Sequence, residues 1–341
     1  MKAACYYDIG DIRCEEMERP RIGRGEILIR VRVCGLCGTD VSKMRERSVP
    51  VPAVLGHEVA GDIAELGEGV EEFEVGERIV VTHHVPCFVC NYCRHGNYSQ
   101  CESFKRMNII PGGFAEYIRV LPPGVEKSTF KIPDNLSYEE ACFTETVACC
   151  LRGIERCGIK AGDRVMIVGA GVVGLLHLQL AKLFGAGRII VADLVDFRLD
   201  VASRIGADIT INIDKEKAGK RVDEGTDSCG ADVVIVAVGS VDALGAAFNF
   251  VSKGGKILFF AECPRDSILK LDPNLVYHSE VTLLGSYSST PLEQRTALQL
   301  IESGKIKVKG LITHRRKLDK MAEAVSLAME GKESLKIIIG T

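Results

Sequence analysis

The sequence predicts an α/β protein with two parts: a β-rich first third, and a doubly wound domain with a parallel sheet. Runs such as GEILIRVRV (residues 25–33), ERIVV and FAEYIRV alternate apolar and polar residues, as half-buried strands do. From about residue 160, continuous apolar strands (RVMIVGA, RIIVADL, ADVVIVAVG, GKILFFA) alternate with helical stretches, which is typical of a parallel sheet covered on both faces. The tail, LEQRTALQLIESGKIKV (a helix with a strand) and then LKIIIG, is too short for a domain and is expected to pack on the N-terminal β region.

Composition limits the function classes. The 341 residues are 46% hydrophobic and 26% charged, enough for a large core in two domains. A net charge of -3, with acids and bases interspersed, excludes a basic field for nucleic acid or anionic lipid. No signal-type segment and no run of about 18 apolar residues occurs, so we expect a cytoplasmic protein with no membrane partner. Fourteen cysteines, mostly scattered singly, favour reduced thiols and metal ligands over disulfides.

The densest cysteine cluster lies in VPCFVCNYCRHGNYSQC, with the spacing C-x2-C-x2-C-x7-C at Cys87, Cys90, Cys93 and Cys101. Four thiolates in one polar loop can close a tetrahedral zinc site, whereas core cysteines rarely cluster in such a loop. Four buried or oxidised cysteines are the alternative. A closed site leaves no position for water, so this zinc is predicted to be structural.

A second set of ligand-type residues comes from separate segments. CGLCGTD contains Cys37, LGHEVAG contains His57 and Glu58, and CFTETVACC contains Glu145. Each alone is compatible with a structural role, and a lone loop histidine usually has one. Together they supply sulfur, nitrogen and oxygen donors with room for an open coordination position, the pattern of a catalytic metal site.

The segment RVMIVGAGVVGLL predicts a dinucleotide site. Gly169, Gly171 and Gly174 follow a predicted strand and open a predicted helix, with Val172 and Val173 between the last two glycines. The glycines allow the tight turn, the approach of pyrophosphate to backbone, and close helix–strand packing. Asp193 ends the next strand, where its carboxylate accepts hydrogen bonds from ribose hydroxyls and repels a 2′-phosphate, so NAD is preferred over NADP.

These motifs occur in the order found in zinc-containing medium-chain dehydrogenases/reductases of the alcohol dehydrogenase superfamily, and the chain resembles that family over its whole length. The resemblance implies a discontinuous GroES-like, zinc-binding catalytic domain formed by residues 1–152 and 288–341. It also implies a Rossmann NAD-binding domain formed by residues 153–287. Position 145 holds glutamate, as in the sorbitol and threonine dehydrogenase branches, where the alcohol dehydrogenase branch has cysteine, so the chain resembles the polyol side of the family.

The resemblance also implies residue roles. Cys37, rather than Cys34, and His57 would bind catalytic zinc with Glu145, and Glu58 would bind the metal directly or after movement, so that the chain carries two zinc ions. Thr39 matches the hydroxyl that relays the substrate proton, and Asp40 matches the carboxylate that orients His57. Ser42 replaces a relay histidine, so no terminal base is assigned.

Further cofactor contacts follow from the same resemblance. Arg198 would lie along the adenosine, with a solvated helix-surface arginine as the alternative, and Val238, Ala261 and Ser286 would line the nicotinamide unless they are ordinary strand-end packing. His83 and His84 are candidates for the substrate pocket or the relay. Adjacent strand residues point to opposite faces, so at most one is expected to face the cleft.

The predicted function is NAD- and zinc-dependent oxidation of a secondary alcohol in a polyol or sugar-derived substrate. Oxidation of L-threonine or another amino alcohol, oxidation of an aliphatic alcohol or aldehyde, and a non-catalytic protein binding NAD and zinc are weaker alternatives. A zinc-ribbon interaction module is weaker still. A homodimer or homotetramer is expected, with VTLLGSY as the pairing edge strand.

Overall fold

The computed structural model describes residues 1–106 and 108–341, which divide into two compact units, Met1–Ala148 with Ser289–Thr341, and Cys149–Ser288. The strands are β1 (Lys2–Asp8), β2 (Asp11–Glu16), β3 (Ile27–Leu36), β4 (Ala53–Val54), β5 (Glu58–Leu66), β6 (Arg78–Val81), β7 (Ile109–Ile110), β8 (Tyr117–Val120), β9 (Thr129–Lys131), β10 (Arg164–Val168), β11 (Arg188–Asp193), β12 (Ile209–Asn212), β13 (Ala231–Val236), β14 (Val251–Phe259), β15 (Thr282–Gly285), β16 (Ile312–Lys317) and β17 (Lys336–Gly340). The α-helices are α1 (Gly38–Arg45), α2 (Asn91–Arg94), α3 (Pro122–Ser128), α4 (Tyr138–Ala141), α5 (Thr144–Cys157), α6 (Val172–Leu183), α7 (Asp196–Ile205), α8 (Ala218–Thr226), α9 (Val241–Ala247), α10 (Pro273–Ser279), α11 (Pro291–Glu302) and α12 (Met321–Glu330).

The first unit is β-rich, as predicted. Its main sheet runs β16-β17-β3-β5-β6-β9, with β8 also paired to β3, and a smaller sheet runs β2-β1-β4. In β3, Ile29 and Val31 are buried while Arg30 and Arg32 are exposed, the alternation that predicted a half-buried strand. The expectation that LKIIIG packs on the N-terminal region is confirmed, because β17 pairs antiparallel with β3.

The prediction of a strand at the end of LEQRTALQLIESGKIKV is wrong. The helix α11 is present, begun by a capping box of Thr290 and Glu293 with Pro291 at its first position. Residues 306–308 are not strand, and the next strand, β16, begins at Ile312. Ile306 and Val308 are buried, so their apolar character reflects packing rather than strand pairing.

The second unit is the predicted doubly wound domain. Its six strands are all parallel, in the order β12-β11-β10-β13-β14-β15. Four of the five residues of the central strand β10 are buried, since helices cover both faces of such a sheet. None of the helices in the described part of the chain combines the length and apolar character that crossing a bilayer requires.

His177 is an uncompensated polar group in the core of the second unit. It lies on α6 with no exposed surface, and neither ring nitrogen has a hydrogen-bond partner among the described residues. Its ring packs edge-on against Phe260, with centroids 4.5 Å apart. Burial lowers its pKa to about 3, so the folded protein holds this imidazole neutral.

We therefore expect His177→Leu to stabilise the protein, because an unsatisfied buried nitrogen costs about 1–3 kcal/mol. The folded pKa lies below the ordinary 6.5, so the unfolded state binds the extra proton and stability is lost as pH falls from 6.5 towards 3. Thermal melts at pH 7 and pH 5 should show a higher midpoint for His177→Leu and a smaller drop on acidification. The exposed His278 supplies the control substitution His278→Leu. An unchanged acid response in His177→Leu would contradict this account.

Candidate functional site

Strand register brings the second ligand set together. Cys37 directly follows β3, His57 directly precedes β5, and these antiparallel strands pair Gly35 with Glu58. The two ligand residues therefore meet at one end of the β3–β5 pair. The ligand atoms of Cys37, His57 and Glu58 lie within 4.8 Å of one another, close enough to hold one metal ion.

Asp40 orients the histidine of this group, as predicted. Its Oδ1 lies 3.2 Å from His57 Nδ1, which leaves Nε2 for a metal. Its Oδ2 accepts the backbone N–H of Cys37 at 3.2 Å, at the start of α1. Burial alone would lower the pKa of His57, but Asp40 and Cys37 raise it well above the ordinary 6.5. The same contacts lower the pKa of the buried Asp40, against the effect of its own burial.

Sequence reasoning missed Lys336, the partner of Glu58. Lys336 Nζ lies 2.7 Å from Glu58 Oε1 and 2.6 Å from Oε2, and Thr146 Oγ1 donates to Oε1 at 2.7 Å. Burial would lower the pKa of Lys336, but Glu58 raises it above the ordinary 10.5, so the ammonium is charged. The signal was a single lysine in the otherwise apolar LKIIIG, which pattern alone does not distinguish from an exposed strand end.

Glu145 and Thr39 lie in the same unit as this group. Glu145 is buried on the first turn of α5, but its carboxylate is not among the three groups that cluster within 4.8 Å. Thr39 is exposed on the first turn of α1, two residues after Cys37. The structure therefore brings Cys37, His57 and Glu58 together, and Glu145 remains a proposed ligand.

The four-cysteine loop is compact. The sulfurs of Cys87, Cys90, Cys93 and Cys101 lie within 4.8 Å of one another. Backbone N–H groups point at two of them: Cys90 N–H donates to Cys87 Sγ and Cys87 N–H to Cys101 Sγ, both at 3.3 Å. Hydrogen bonds from Val89 and Cys90 lower the pKa of Cys87 to about 6, while burial raises that of Cys93. Four sulfurs at this spacing fit a tetrahedral zinc ion.

The interpretation that His83 and His84 point to opposite faces is wrong. The strand β6 ends at Val81, so strand alternation does not apply to them. Their ring centroids lie 3.7 Å apart, and His83 lies 4.7 Å from the ring of His57. Burial and the nearby imidazole of His57 lower the pKa of His84 to about 3. Both rings therefore lie beside the metal-ligand group.

The glycine turn of the second unit fits a dinucleotide. A β-carbon on Gly174 would lie 1.8 Å from the carbonyl oxygen of Gly169, so only glycine allows this helix to pack so close to the preceding turn. A β-carbon on Gly171 would meet nothing within 4 Å, which leaves room for the predicted approach of pyrophosphate. Val172 and Val173 form the first turn of α6, whose free N–H groups favour an anion.

Asp193 lies beside this turn at the end of β11. Its Oδ2 accepts the N–H of Ala170 at 2.6 Å and its Oδ1 that of Val195 at 2.9 Å. The guanidinium of Arg198 lies 3.9 Å from Asp193, so this arginine contacts the carboxylate and is not simply solvated. Arg198 therefore lies beside the carboxylate that is held at the glycine turn, and contact of the two side chains with the adenosine ribose stays a prediction.

The predicted nicotinamide-lining residues all follow strand ends of the parallel sheet. Val238 follows β13, Ala261 follows β14 and Ser286 follows β15. Val238 also packs on the glycine turn, since a β-carbon on Gly169 would lie 2.4 Å from its Cγ1. The hydroxyl of Ser286 is buried without a hydrogen-bond partner among the described residues.

A metal-ligand group, a four-thiol loop and a dinucleotide turn in one chain define the class of a metal-dependent, nucleotide-linked oxidoreductase. Comparison with known proteins identifies the family within this class. Residues 23–134 match the family model "Alcohol dehydrogenase GroES-like domain", and residues 172–303 match "Zinc-binding dehydrogenase".

Similar proteins extend over nearly the whole chain. Sorbitol dehydrogenase of Bacillus subtilis (strain 168) is 33% identical over 99% of this chain and 97% of its own length. L-threonine 3-dehydrogenase of Pyrococcus horikoshii is 33% identical, covering 93% of this chain and 92% of its own. The crystal structure of galactitol-1-phosphate dehydrogenase from Escherichia coli aligns over 100% of both chains, with a TM-score of 0.89 and 26% identity. The chain belongs to the zinc-binding alcohol dehydrogenase family, and it is a zinc- and NAD-dependent enzyme.

Proposed function

We propose that this protein is a polyol dehydrogenase that oxidises a secondary hydroxyl of a polyol or sugar-derived alcohol and reduces NAD. The observation that carries the proposal is the ligand group of Cys37, His57 and Glu58, within 4.8 Å of one another, with a further buried carboxylate, Glu145, in the same unit. A thiolate, an imidazole and one carboxylate would leave the fourth position of a tetrahedral metal open for substrate, whereas the four-thiol loop would fill all four positions.

Each of these residues has a proposed role in catalysis. Cys37, His57 and Glu145 would hold the catalytic zinc, and Glu58 would bind it directly or after movement. When bound, zinc supplies the Lewis acidity that lowers the pKa of the substrate hydroxyl, and NAD accepts the hydride. The hydroxyl of Thr39 would receive the proton from the alcohol and pass it on. The four cysteines of the loop 87–101 would hold a second, structural zinc.

NAD is the proposed preferred cofactor. The Asp193 carboxylate is held beside the glycine turn by two backbone N–H groups, where it would accept hydrogen bonds from ribose and repel a 2′-phosphate. Arg198 balances part of that negative charge at 3.9 Å, which predicts a preference rather than an absolute exclusion of NADP. Val238, Ala261 and Ser286 would line the nicotinamide.

An L-threonine dehydrogenase is the second candidate, favoured by the 33% identity with the Pyrococcus horikoshii enzyme. The resemblance weighs against this candidate, because the threonine dehydrogenase branch usually has a D-P-x-G-N-type segment where this chain carries TETVACC. The polyol reading agrees with the sorbitol dehydrogenase relative, which matches more of this chain.

A substrate panel tests the proposal. The zinc-loaded protein should form NADH with sorbitol, xylitol or arabitol, with kcat/KM well above that for L-threonine or ethanol. Glu145→Ala should lower kcat/KM about 10–100-fold or more, the usual cost of disturbing a metal shell. Glu155→Ala, on the exposed side of the same helix, is the matched control. Full activity in Glu145→Ala would remove Glu145 from the ligand set, and faster oxidation of L-threonine than of any polyol would favour the second candidate.

We also propose that two copies pair through β15. This strand is the edge of the six-stranded sheet, with Thr282 and Leu283 exposed, and the nearby helix α10 buries none of its residues. An exposed edge strand offers unpaired backbone groups to a second copy. Sedimentation should show a dimer or tetramer that Leu283→Pro dissociates, and a monomeric parent protein would contradict this. All fourteen cysteines are outside disulfides, which supports a location in a reducing compartment, the cytoplasm.

A further inference from the structure

The ion pair of Lys336 and Glu58 is fully enclosed in the first unit. Glu58 has no exposed surface and Lys336 is 3% exposed. Both carboxylate oxygens accept from the ammonium, and Thr146 Oγ1 adds a third hydrogen bond. The ammonium also lies 5.4 Å from the ring centroid of Phe143. Strands β5 and β17 and helix α5 thus converge on one carboxylate.

Stability alone does not explain this arrangement. A buried ion pair is costly to desolvate, and replacing both partners by apolar residues is often neutral or stabilising. The same Glu58 carboxylate also belongs to the metal-ligand group with Cys37 and His57. It therefore lies between a cation fixed by the fold and the position of a metal cation.

Lys336 changes the net charge of the catalytic metal centre. The Cys37 thiolate with the carboxylates of Glu58 and Glu145 carries three negative charges against the two positive charges of zinc. The ammonium of Lys336 brings the sum to zero. A less negative centre draws more electron density from a bound hydroxyl, so it is a stronger Lewis acid.

We propose that Lys336 is a positioning residue for the catalytic metal: it holds Glu58 at the edge of the ligand group and neutralises its charge. This inference rests on the proposed zinc-dependent function. Without Lys336, the Glu58 carboxylate would turn to the metal, so the protein would bind the metal more tightly and the metal would be a weaker Lewis acid. Thr146 assists by holding Oε1.

Cobalt(II) substitution at the catalytic centre provides a readout besides activity. In Lys336→Met, the cobalt d–d absorption should change in position and intensity, because an oxygen donor joins or moves in the coordination sphere. Metal release to a chelator should be slower than in the parent protein. The kcat should fall about 10–100-fold, and its pH profile should move to higher pH. Lys336→Arg should restore the parent spectrum and most of the activity, because it keeps the charge.

Lys320→Met is the matched control, since it removes an exposed lysine 2.6 Å from Glu323 and should change none of these measurements. If Lys336→Met does not fold, Thr146→Val keeps the cation and should give a smaller change of the same sign. A parent-like cobalt spectrum and metal release rate in Lys336→Met would overturn the inference. If Lys336→Met does not fold, the same result in Thr146→Val would overturn it. Failure of the parent protein to oxidise any alcohol would instead overturn the proposed function, and the cobalt spectrum would still decide the role of Lys336.

Discussion

Gly35→Ala is expected to lower the stability of the first unit and to empty the catalytic metal centre. A β-carbon at position 35 would lie 1.9 Å from Glu58 Oε2 and 3.3 Å from Glu58 Cβ. The carboxylate cannot move aside freely, because Lys336 and Thr146 hold it in a buried position. Overpacking of this kind costs about 1–3 kcal/mol, and displacing a buried ion pair adds to it.

Thermal denaturation and zinc analysis measure both effects. We expect Gly35→Ala to melt at a lower temperature and to retain only the zinc of the four-cysteine loop. Gly38→Ala in α1 is the matched control, because a β-carbon there meets nothing within 4 Å; its metal content should equal that of the parent and its melting temperature should not fall. The added atom also pushes apart the ends of β3 and β5, which carry Cys37 and His57, so parent-like zinc content in Gly35→Ala would contradict the placement of the metal centre at this strand end.

Gly174→Ala is expected to damage cofactor binding and the fold of the second unit together. The added β-carbon would lie 1.8 Å from the carbonyl oxygen of Gly169, a backbone atom that cannot rotate away. If this clash raises the free energy of the NAD-bound state by about 3 kcal/mol, NAD should bind roughly 100-fold more weakly. Titration of NADH fluorescence and thermal melts measure the two effects.

Two further glycines separate folding from binding. Gly171→Ala should weaken NAD binding with a parent-like melting temperature, because its β-carbon enters open space on the cofactor side. A β-carbon on Gly219, in α8, also meets nothing within 4 Å. Gly219→Ala should therefore leave NAD binding unchanged and raise the melting temperature slightly. NAD binding by Gly174→Ala as tight as in the parent would contradict the assigned role of this turn.

Local patterns predicted the fold class well, and particular elements show why. The alternation in β3 and the apolar run of β10 each reflect how many faces of the strand are buried, which sequence records directly. Residues 306–308 show the limit, because an apolar run that packs without pairing looks the same as a strand.

The site was predictable where ligand chemistry is local and unpredictable where it depends on register. Four cysteines within one loop are close in space because they are close in sequence, and the glycine turn directly joins the strand and the helix that define it. Lys336 reaches Glu58 only because β17 pairs with β3, across 278 residues of sequence. Likewise, the adjacent rings of His83 and His84 depend on β6 ending at Val81, a boundary that pattern does not define.

Zinc analysis of the parent protein, Cys37→Ser and Cys34→Ser most directly tests the claim that a catalytic metal centre exists apart from the four-cysteine loop. We predict about two zinc ions per chain in the parent and in Cys34→Ser, whose sulfur lies in the core. Cys37→Ser should retain about one zinc ion and bind NAD normally, with loss of hydride transfer. Two zinc ions and full activity in Cys37→Ser would contradict the account.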